Sequence, residues 1–137
     1  MKKMILASLF PFILFANGFN TQVQNYIEEL KVEAKKDNPS FKDFDSNRGE
    51  KIFISKHIGK KNEEVSCASC HNIDLSKEGK NIFTNKVIKP LSPKTNPKRL
   101  TSTKEVKKWL RRNFKDVYVR EGSAQEKGDV LYYINSK

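Results

Sequence analysis

The sequence predicts a small all-α domain with long loops. Apolar side chains recur every three or four residues in several separate segments, and residues that favour helix starts precede them. No segment shows the alternation of apolar and polar residues expected of a strand. A chain of 137 residues suits one small domain, whose core stays modest unless a large apolar group fills its centre.

The N-terminus is typical of a secretory signal peptide. Lys2 and Lys3 precede an apolar run at residues 4–16, and a small-residue cleavage site follows at 16–18. The run is shorter than the roughly 20 residues that span a bilayer, so a retained anchor is the less favoured interpretation. We therefore expect cleavage after Gly18 and a mature protein in the periplasm or otherwise outside the cytoplasm.

The mature chain is predicted to consist of an N-terminal helical extension, residues 19–44, and a main domain, residues 45–137. In the extension, residues 20–37 form an amphipathic helix. A second helix begins at Asp45 or Ser46, either of which suits the N-cap position. The apolar face of the first helix consists of Val23, Tyr26, Ile27, Leu30 and Ala34.

Two further helices are predicted near the C-terminus. Ser102 and Glu105 have the spacing of a capping box, and so do Ser123 and Glu126. Residues 72–100 carry three prolines and few periodic apolar positions, so they are expected to form a long loop. The face of the helix after Ser102 carries Val106, Trp109, Leu110, Asn113 and Phe114.

The sequence Cys67-Ala68-Ser69-Cys70-His71 is the C-x-x-C-H signature of covalent haem c attachment. Two thiols one helical turn apart can add to both haem vinyl groups, which places the next imidazole beneath the iron. His71 is therefore the expected proximal ligand, bound through Nε2. A carbonyl near Pro90 is the expected acceptor for its Nδ1–H.

Three interpretations without haem compete with this one. A redox-active dithiol would require a thioredoxin-like βαβ pattern, which the sequence lacks. A structural zinc would require four ligands, but the chain offers only Cys67, Cys70, His57 and His71, two of them adjacent. A chance motif holding a disulfide would make the protein an exported thiol-redox or structural module.

The sixth iron ligand is not a methionine in the mature protein, because Met1 and Met4 are the only methionines. Asparagine, lysine, His57, water or an open position remain. Asn113 is the first candidate, since a buried amide without a partner on an apolar face is costly. Backbone groups could equally satisfy it. His57 is the alternative distal ligand, and Trp109 is a candidate pocket wall or an ordinary core residue.

Between residues 67 and 134 the sequence resembles the sphaeroides haem protein family. The resemblance rests on KPLSP at 89–93, TNP at 95–97, VKKWLRRN at 106–113 and AQEKGDVL at 124–131, in this order. That family comprises small class I cytochromes c, so the resemblance implies that fold, with long loops wrapping one haem and an extra N-terminal helix.

The resemblance also implies the ligands and the partners. The axial ligands of the haem iron would be His71 and Asn113, and Asn113 would leave the iron on reduction so that O2 or NO can bind. Redox partners would be a multihaem cytochrome c or a membrane cytochrome b. One departure is that Phe114 and Gly122 stand where members of the family often have a disulfide, so the mobility of Asn113 is expected to differ. Gly49 would allow close approach of the crossing helices.

The charge distribution bears on function. The formal charge is +11, or +9 once the two lysines of the signal peptide are removed. Such a surface favours an acidic protein partner or an anionic membrane surface, whereas no nucleic-acid recognition motif is present. We expect an electron-transfer or oxygen-binding haem protein rather than an enzyme, with a plain electron shuttle as the alternative.

Overall fold

The computed structural model describes residues 18–137, so the predicted signal peptide lies outside the described residues except for Gly18. Five helices occur in this part of the chain: α1 (Thr21–Asp37), α2 (Ser46–Ile54), α3 (Cys67–His71), α4 (Thr103–Val117) and α5 (Ala124–Asn135). Four strands of two residues each accompany them: β1 (His57–Ile58), β2 (Glu64–Val65), β3 (Gly79–Lys80) and β4 (Val87–Ile88).

Helix α1 begins and packs as its sequence pattern predicts. Asn20 is its N-cap, and the Asn20 side chain accepts a hydrogen bond from the Val23 backbone N–H at 2.9 Å. The predicted apolar face is buried and belongs to the same hydrophobic cluster as α2, α4 and α5. Residues 19–44 therefore share a core with residues 45–137.

Helices α2 and α5 cross at Gly49. A Cβ atom at Gly49 would overlap the backbone carbonyl of Asp129, so only glycine permits this approach. Beside the crossing, the buried Asp129 carboxylate accepts hydrogen bonds from Arg48 Nε at 2.8 Å and from the Asp45 backbone N–H at 2.7 Å. A charge-assisted network thus fixes the start of α2 on α5.

The two predicted capping boxes have different outcomes. At α5, Ser123 and Glu126 bond reciprocally, so this capping box is confirmed. At α4, Ser102 accepts from the Glu105 backbone N–H at 3.4 Å, but the Glu105 carboxylate turns to Lys108 and Trp109. Only half of this second box forms, because those two donors compete for the carboxylate.

The strands correct the expectation that none would form. β1 and β2 pair antiparallel, and so do β3 and β4. Strands of two residues are too short to produce an alternating pattern of apolar and polar residues, so sequence periodicity cannot predict them. Both pairs lie in connecting segments, and the predicted all-α class with long loops is confirmed. Within residues 18–137, no helix is both long and apolar enough to cross a membrane.

Candidate haem-binding site

A cavity of about 1010 Å³ lies among α3, α4, α5 and the long loop. Its volume matches the upper end of ordinary ligand pockets, so it can hold one large group. Its walls are mostly apolar, as a macrocycle would require. Among the apolar lining residues are Phe53, Val65, Leu91, Leu110, Leu131 and Ile134.

The short helix α3 carries the C-x-x-C-H motif to this cavity. Ser66 caps the helix through a reciprocal box with Ser69, in which Ser69 Oγ accepts from the Ser66 backbone N–H at 2.9 Å. Cys67, Cys70 and His71 all line the cavity. The local sequence therefore presents the three motif side chains to one space.

The two thiols are free of disulfide bonds, and the Cys67 thiol is in the form that can add to a vinyl group. Neither Cys67 nor Cys70 is in a disulfide. Burial raises the pKa of the Cys67 thiol to about 12, so it keeps its proton at neutral pH. These thiols fit covalent attachment of a haem better than they fit a disulfide-exchange site, which requires a lowered pKa.

His71 has the properties expected of an iron ligand. Burial, and then the charge of Arg99, lower its pKa to about 4, so the imidazole is neutral as metal ligation requires. Its Nδ1 is buried and has no hydrogen-bond partner among residues 18–137. The expected acceptor near Pro90 is not used, because the Pro90 carbonyl accepts from Arg99 Nε at 2.9 Å and from Asn96 Nδ2 at 3.2 Å.

Asn113 lies on the α4 wall of the same cavity and is half-buried. Within residues 18–137, its amide forms no hydrogen bond with another side chain or with the backbone. The interpretation in which backbone groups satisfy Asn113 therefore finds no support in this geometry. An amide so placed is available to a group that occupies the cavity.

Trp109 lies one turn before Asn113 on the rim of the cavity. Its indole N–H donates to Glu105 Oε2 at 3.0 Å, and the ring is 45% exposed. Lys108 and Arg112 flank the ring at 5.0 and 5.4 Å from its centroid. Trp109 is thus a partly exposed wall residue rather than a core residue.

His57 is not brought to the cavity. It lies in β1, outside the lining residues, and its ring packs on Tyr118 with 4.1 Å between centroids. Its Nε2 is buried without a hydrogen-bond partner in the described chain. The C-x-x-C-H motif and Asn113 therefore line the same cavity, whereas His57, the alternative distal ligand, lies outside it.

Sequence reasoning missed two site residues. Phe53 packs near His71, with 6.2 Å between ring centroids. Arg99 lies close enough to influence the His71 pKa and bonds to the Lys89 and Pro90 carbonyls. The apolar periodicity of α2 could have indicated Phe53 as a core residue, but nothing local to Arg99 indicates its position.

Basic side chains surround the cavity. They come from the β1–β2 connection, from the long loop and from α4, and all but Arg99 are exposed. They outnumber the acidic lining residues Glu105 and Asp116, so the mouth of the cavity is positive while its wall stays apolar. The basic residues that line the cavity are Lys60, Lys86, Lys89, Lys98, Arg99, Arg112 and Lys115.

Comparison with known sequences identifies the family. Residues 39–134 match the family described as a domain of unknown function, DUF1924. The cytochrome c-type protein SHP of Cereibacter sphaeroides is 38% identical over 90 residues, which cover 66% of this chain and 69% of SHP. The chain belongs to the sphaeroides haem protein family. It is a c-type cytochrome, and its cofactor is covalently bound haem c.

Other relatives show the same fold. Cytochrome c'' of Methylophilus methylotrophus is 29% identical over 114 residues, covering 83% of this chain and 79% of that protein. Its oxidised crystal structure matches with a TM-score of 0.73, covering 83% of this chain and 93% of the other at 29% identity. Oxidised SHP, described as an oxygen-binding cytochrome c, matches with a TM-score of 0.74 and 31% identity, covering 86% of this chain and 99% of that one.

Proposed function

We propose that this chain is an exported mono-haem cytochrome that accepts an electron and then binds O2 or NO at a position that Asn113 vacates. Haem c supplies the one-electron couple and an iron that can hold a diatomic ligand. The protein's own contribution is to attach that group, to provide both axial ligands and to let one of them move.

Attachment falls to α3. Cys67 and Cys70 would hold the group through thioethers, each formed when a thiol S–H adds across one vinyl double bond, with sulfur on one carbon and hydrogen on the other. His71 would bind the iron through Nε2. Support comes from the shared cavity, the protonated Cys67 thiol and the neutral His71 imidazole.

The observation that carries the proposal is the position of Asn113. Its amide lies on the wall of the cavity that holds the C-x-x-C-H motif and is not engaged elsewhere in the described chain. An amide oxygen is a hard ligand, so it should hold ferric iron better than ferrous iron. Reduction would then release Asn113. The description of SHP as an oxygen-binding cytochrome c supports gas binding here.

A plain electron shuttle with a fixed distal ligand is the second candidate. The basic cavity mouth favours it, because positive charge around the redox group steers an acidic partner into contact. The partner that carries the complementary negative charge would be a multihaem cytochrome c, a membrane cytochrome b or an anionic membrane surface. This positive mouth also suits the gas-binding function, since both functions require an electron donor.

Absorption spectra separate the two functions. We would record the mature haem-loaded protein in ferric and dithionite-reduced forms, with and without carbon monoxide or nitric oxide. Gas binding predicts a reduced spectrum that becomes high-spin and shifts when gas is added. A low-spin reduced spectrum that gas does not change would contradict the proposal and favour the shuttle.

Two variants identify the distal ligand in the same experiment. Asn113→Ala should convert the ferric spectrum to high-spin, because it removes the amide. His57→Gln should leave the ferric spectrum unchanged, because His57 lies outside the cavity. The opposite pattern would assign the distal position to His57 and require the β1–β2 segment to rearrange.

A further inference from the structure

The ring of Phe114, the residue after Asn113, packs directly against the backbone of Gly122. Its side chain is 4% exposed. A Cβ atom at Gly122 would lie 2.7 Å from both Cε2 and Cζ of the Phe114 ring. Side-chain atoms do not approach so closely, so the ring occupies the space that any other residue at 122 would need.

Tyr118 holds the Phe114 ring from another side. The two ring centroids are 5.3 Å apart, and the Tyr118 hydroxyl donates to the Ile52 carbonyl at 2.7 Å. Tyr118 is also the C-cap of α4, with its backbone N–H on the Phe114 carbonyl. The hydrogen bond from Tyr118 to Ile52 thereby ties the end of α4 to α2, and the tilted Tyr118 ring packs against Phe114.

The segment that carries Gly122 is itself restrained. Arg120 pairs with Glu126 at 2.6 Å, and Lys115 pairs with Glu121 at 3.3 Å. Ser123 directly after Gly122 caps α5. Gly122 therefore offers Phe114 a nearly fixed surface, although both ion pairs are partly exposed and each contributes little alone.

We propose that the contact between Phe114 and Gly122 sets the position of the end of α4 and so restrains the release of Asn113 from the iron. This inference rests on the proposed role of Asn113 as distal ligand. Phe114 is then a positioning residue, which acts through its neighbour in the helix. Its ring also lines the cavity, so Gly122→Ala is the variant that isolates this positioning effect. Gly122 acts one step further away, since it does not line the cavity.

Two opposite changes to this contact should both speed the release of Asn113 from the iron. Replacing Gly122 by alanine would push the ring and with it the last turn of α4. Replacing Phe114 by leucine would remove Cε2 and Cζ, the two closest atoms, and leave a gap. Combining both substitutions would place the new methyl group in that gap, so the double variant should recover much of the original restraint.

A second pair of the same kind supplies a matched control. A Cβ atom at Gly128 of α5 would overlap the Phe44 ring. Phe44 is buried, but neither residue lines the cavity. Gly128→Ala and Phe44→Leu should therefore lower stability without affecting Asn113.

The test measures cyanide binding to the ferric haem-loaded protein, because at saturating cyanide the rate reports how fast the distal ligand leaves. Gly122→Ala and Phe114→Leu should each raise this rate about three- to tenfold, the range expected for one aromatic contact. Phe114→Leu/Gly122→Ala should fall nearer to the unsubstituted rate. Thermal unfolding of each variant gives the stability for comparison.

The outcomes are distinct. If Gly122→Ala and Phe114→Leu change the rate no more than the control pair does at equal loss of stability, the contact does not restrain Asn113. That result would leave the proposed function intact, provided that Asn113→Ala alters the ferric spectrum. If Asn113→Ala leaves the ferric spectrum unchanged, both the proposed function and this inference are overturned.

Discussion

Gly49 of α2 lies directly against the backbone carbonyl of Asp129 in α5. Because a backbone atom cannot move aside as a flexible side chain can, Gly49→Ala should force the two helices apart. We expect a loss of about 3 kcal/mol in the free energy of unfolding, measured by urea denaturation. Lys51→Ala, at an exposed position of the same helix, is the control. Equal effects of the two substitutions would show that the crossing has room for a methyl group.

The Arg48–Asp129 pair next to this crossing gives a second prediction. The Asp129 side chain is 2% exposed, whereas that of Arg48 is 44% exposed. Among residues 18–137, Arg48→Met would leave the buried carboxylate with the Asp45 backbone N–H as its one remaining charge-stabilising donor. We expect a loss of about 2–3 kcal/mol, near the lower end for a broken buried pair, since water reaches Arg48.

A double variant completes this test. Arg48→Met/Asp129→Asn should cost less than the sum of the two single substitutions, because the neutral amide no longer requires a positive partner. Urea denaturation provides all the free energies. Strictly additive losses would mean that the pair contributes no coupling.

Local signals explain how much of the fold the sequence could predict. The N-caps Asn20, Asp45, Ser102 and Ser123 lie just before periodic apolar runs, so helix starts were predicted to within one residue. The second half of the box at Ser102 failed because nearby donors capture the Glu105 carboxylate. The spacing of two capping residues does not show which of several nearby donors will bond to the carboxylate.

The site was predictable in part for the same reason. Cys67, Cys70 and His71 lie within five consecutive residues, so one helical turn determines their arrangement. Arg99 reaches Pro90 only after residues 72–100 have wrapped the cavity, and no periodicity encodes that path. The position of His57 against Tyr118 likewise depends on a tertiary contact between a short hairpin and the end of α4.

Covalent attachment gives the third prediction. Cys67→Ala and Cys70→Ala should each retain haem through one remaining thioether, whereas the double variant should hold it only through His71 and cavity contacts. Acidic organic extraction followed by mass spectrometry of the protein measures this retention. Extraction should remove haem from the double variant alone. Covalent haem in the double variant would assign attachment to another side chain.

Tyr118 gives the last prediction, which concerns alkaline pH. Burial, followed by the charge of Glu126, raises its pKa to about 12 from the ordinary value of 10.0. The folded protein therefore keeps this proton where the unfolded chain loses it, so the contribution of Tyr118 to stability is complete below pH 10 and disappears between pH 10 and 12. Tyr118→Phe removes this titration and also the hydrogen bond to the Ile52 carbonyl, which costs about 1 kcal/mol at neutral pH. The stability curves of the two proteins, measured by urea denaturation at a series of pH values, should approach each other and then cross as the pH rises from 10 to 12, because the unsubstituted protein alone loses stability there. Parallel curves throughout that range would show that the Tyr118 hydroxyl ionises equally in the folded and unfolded states.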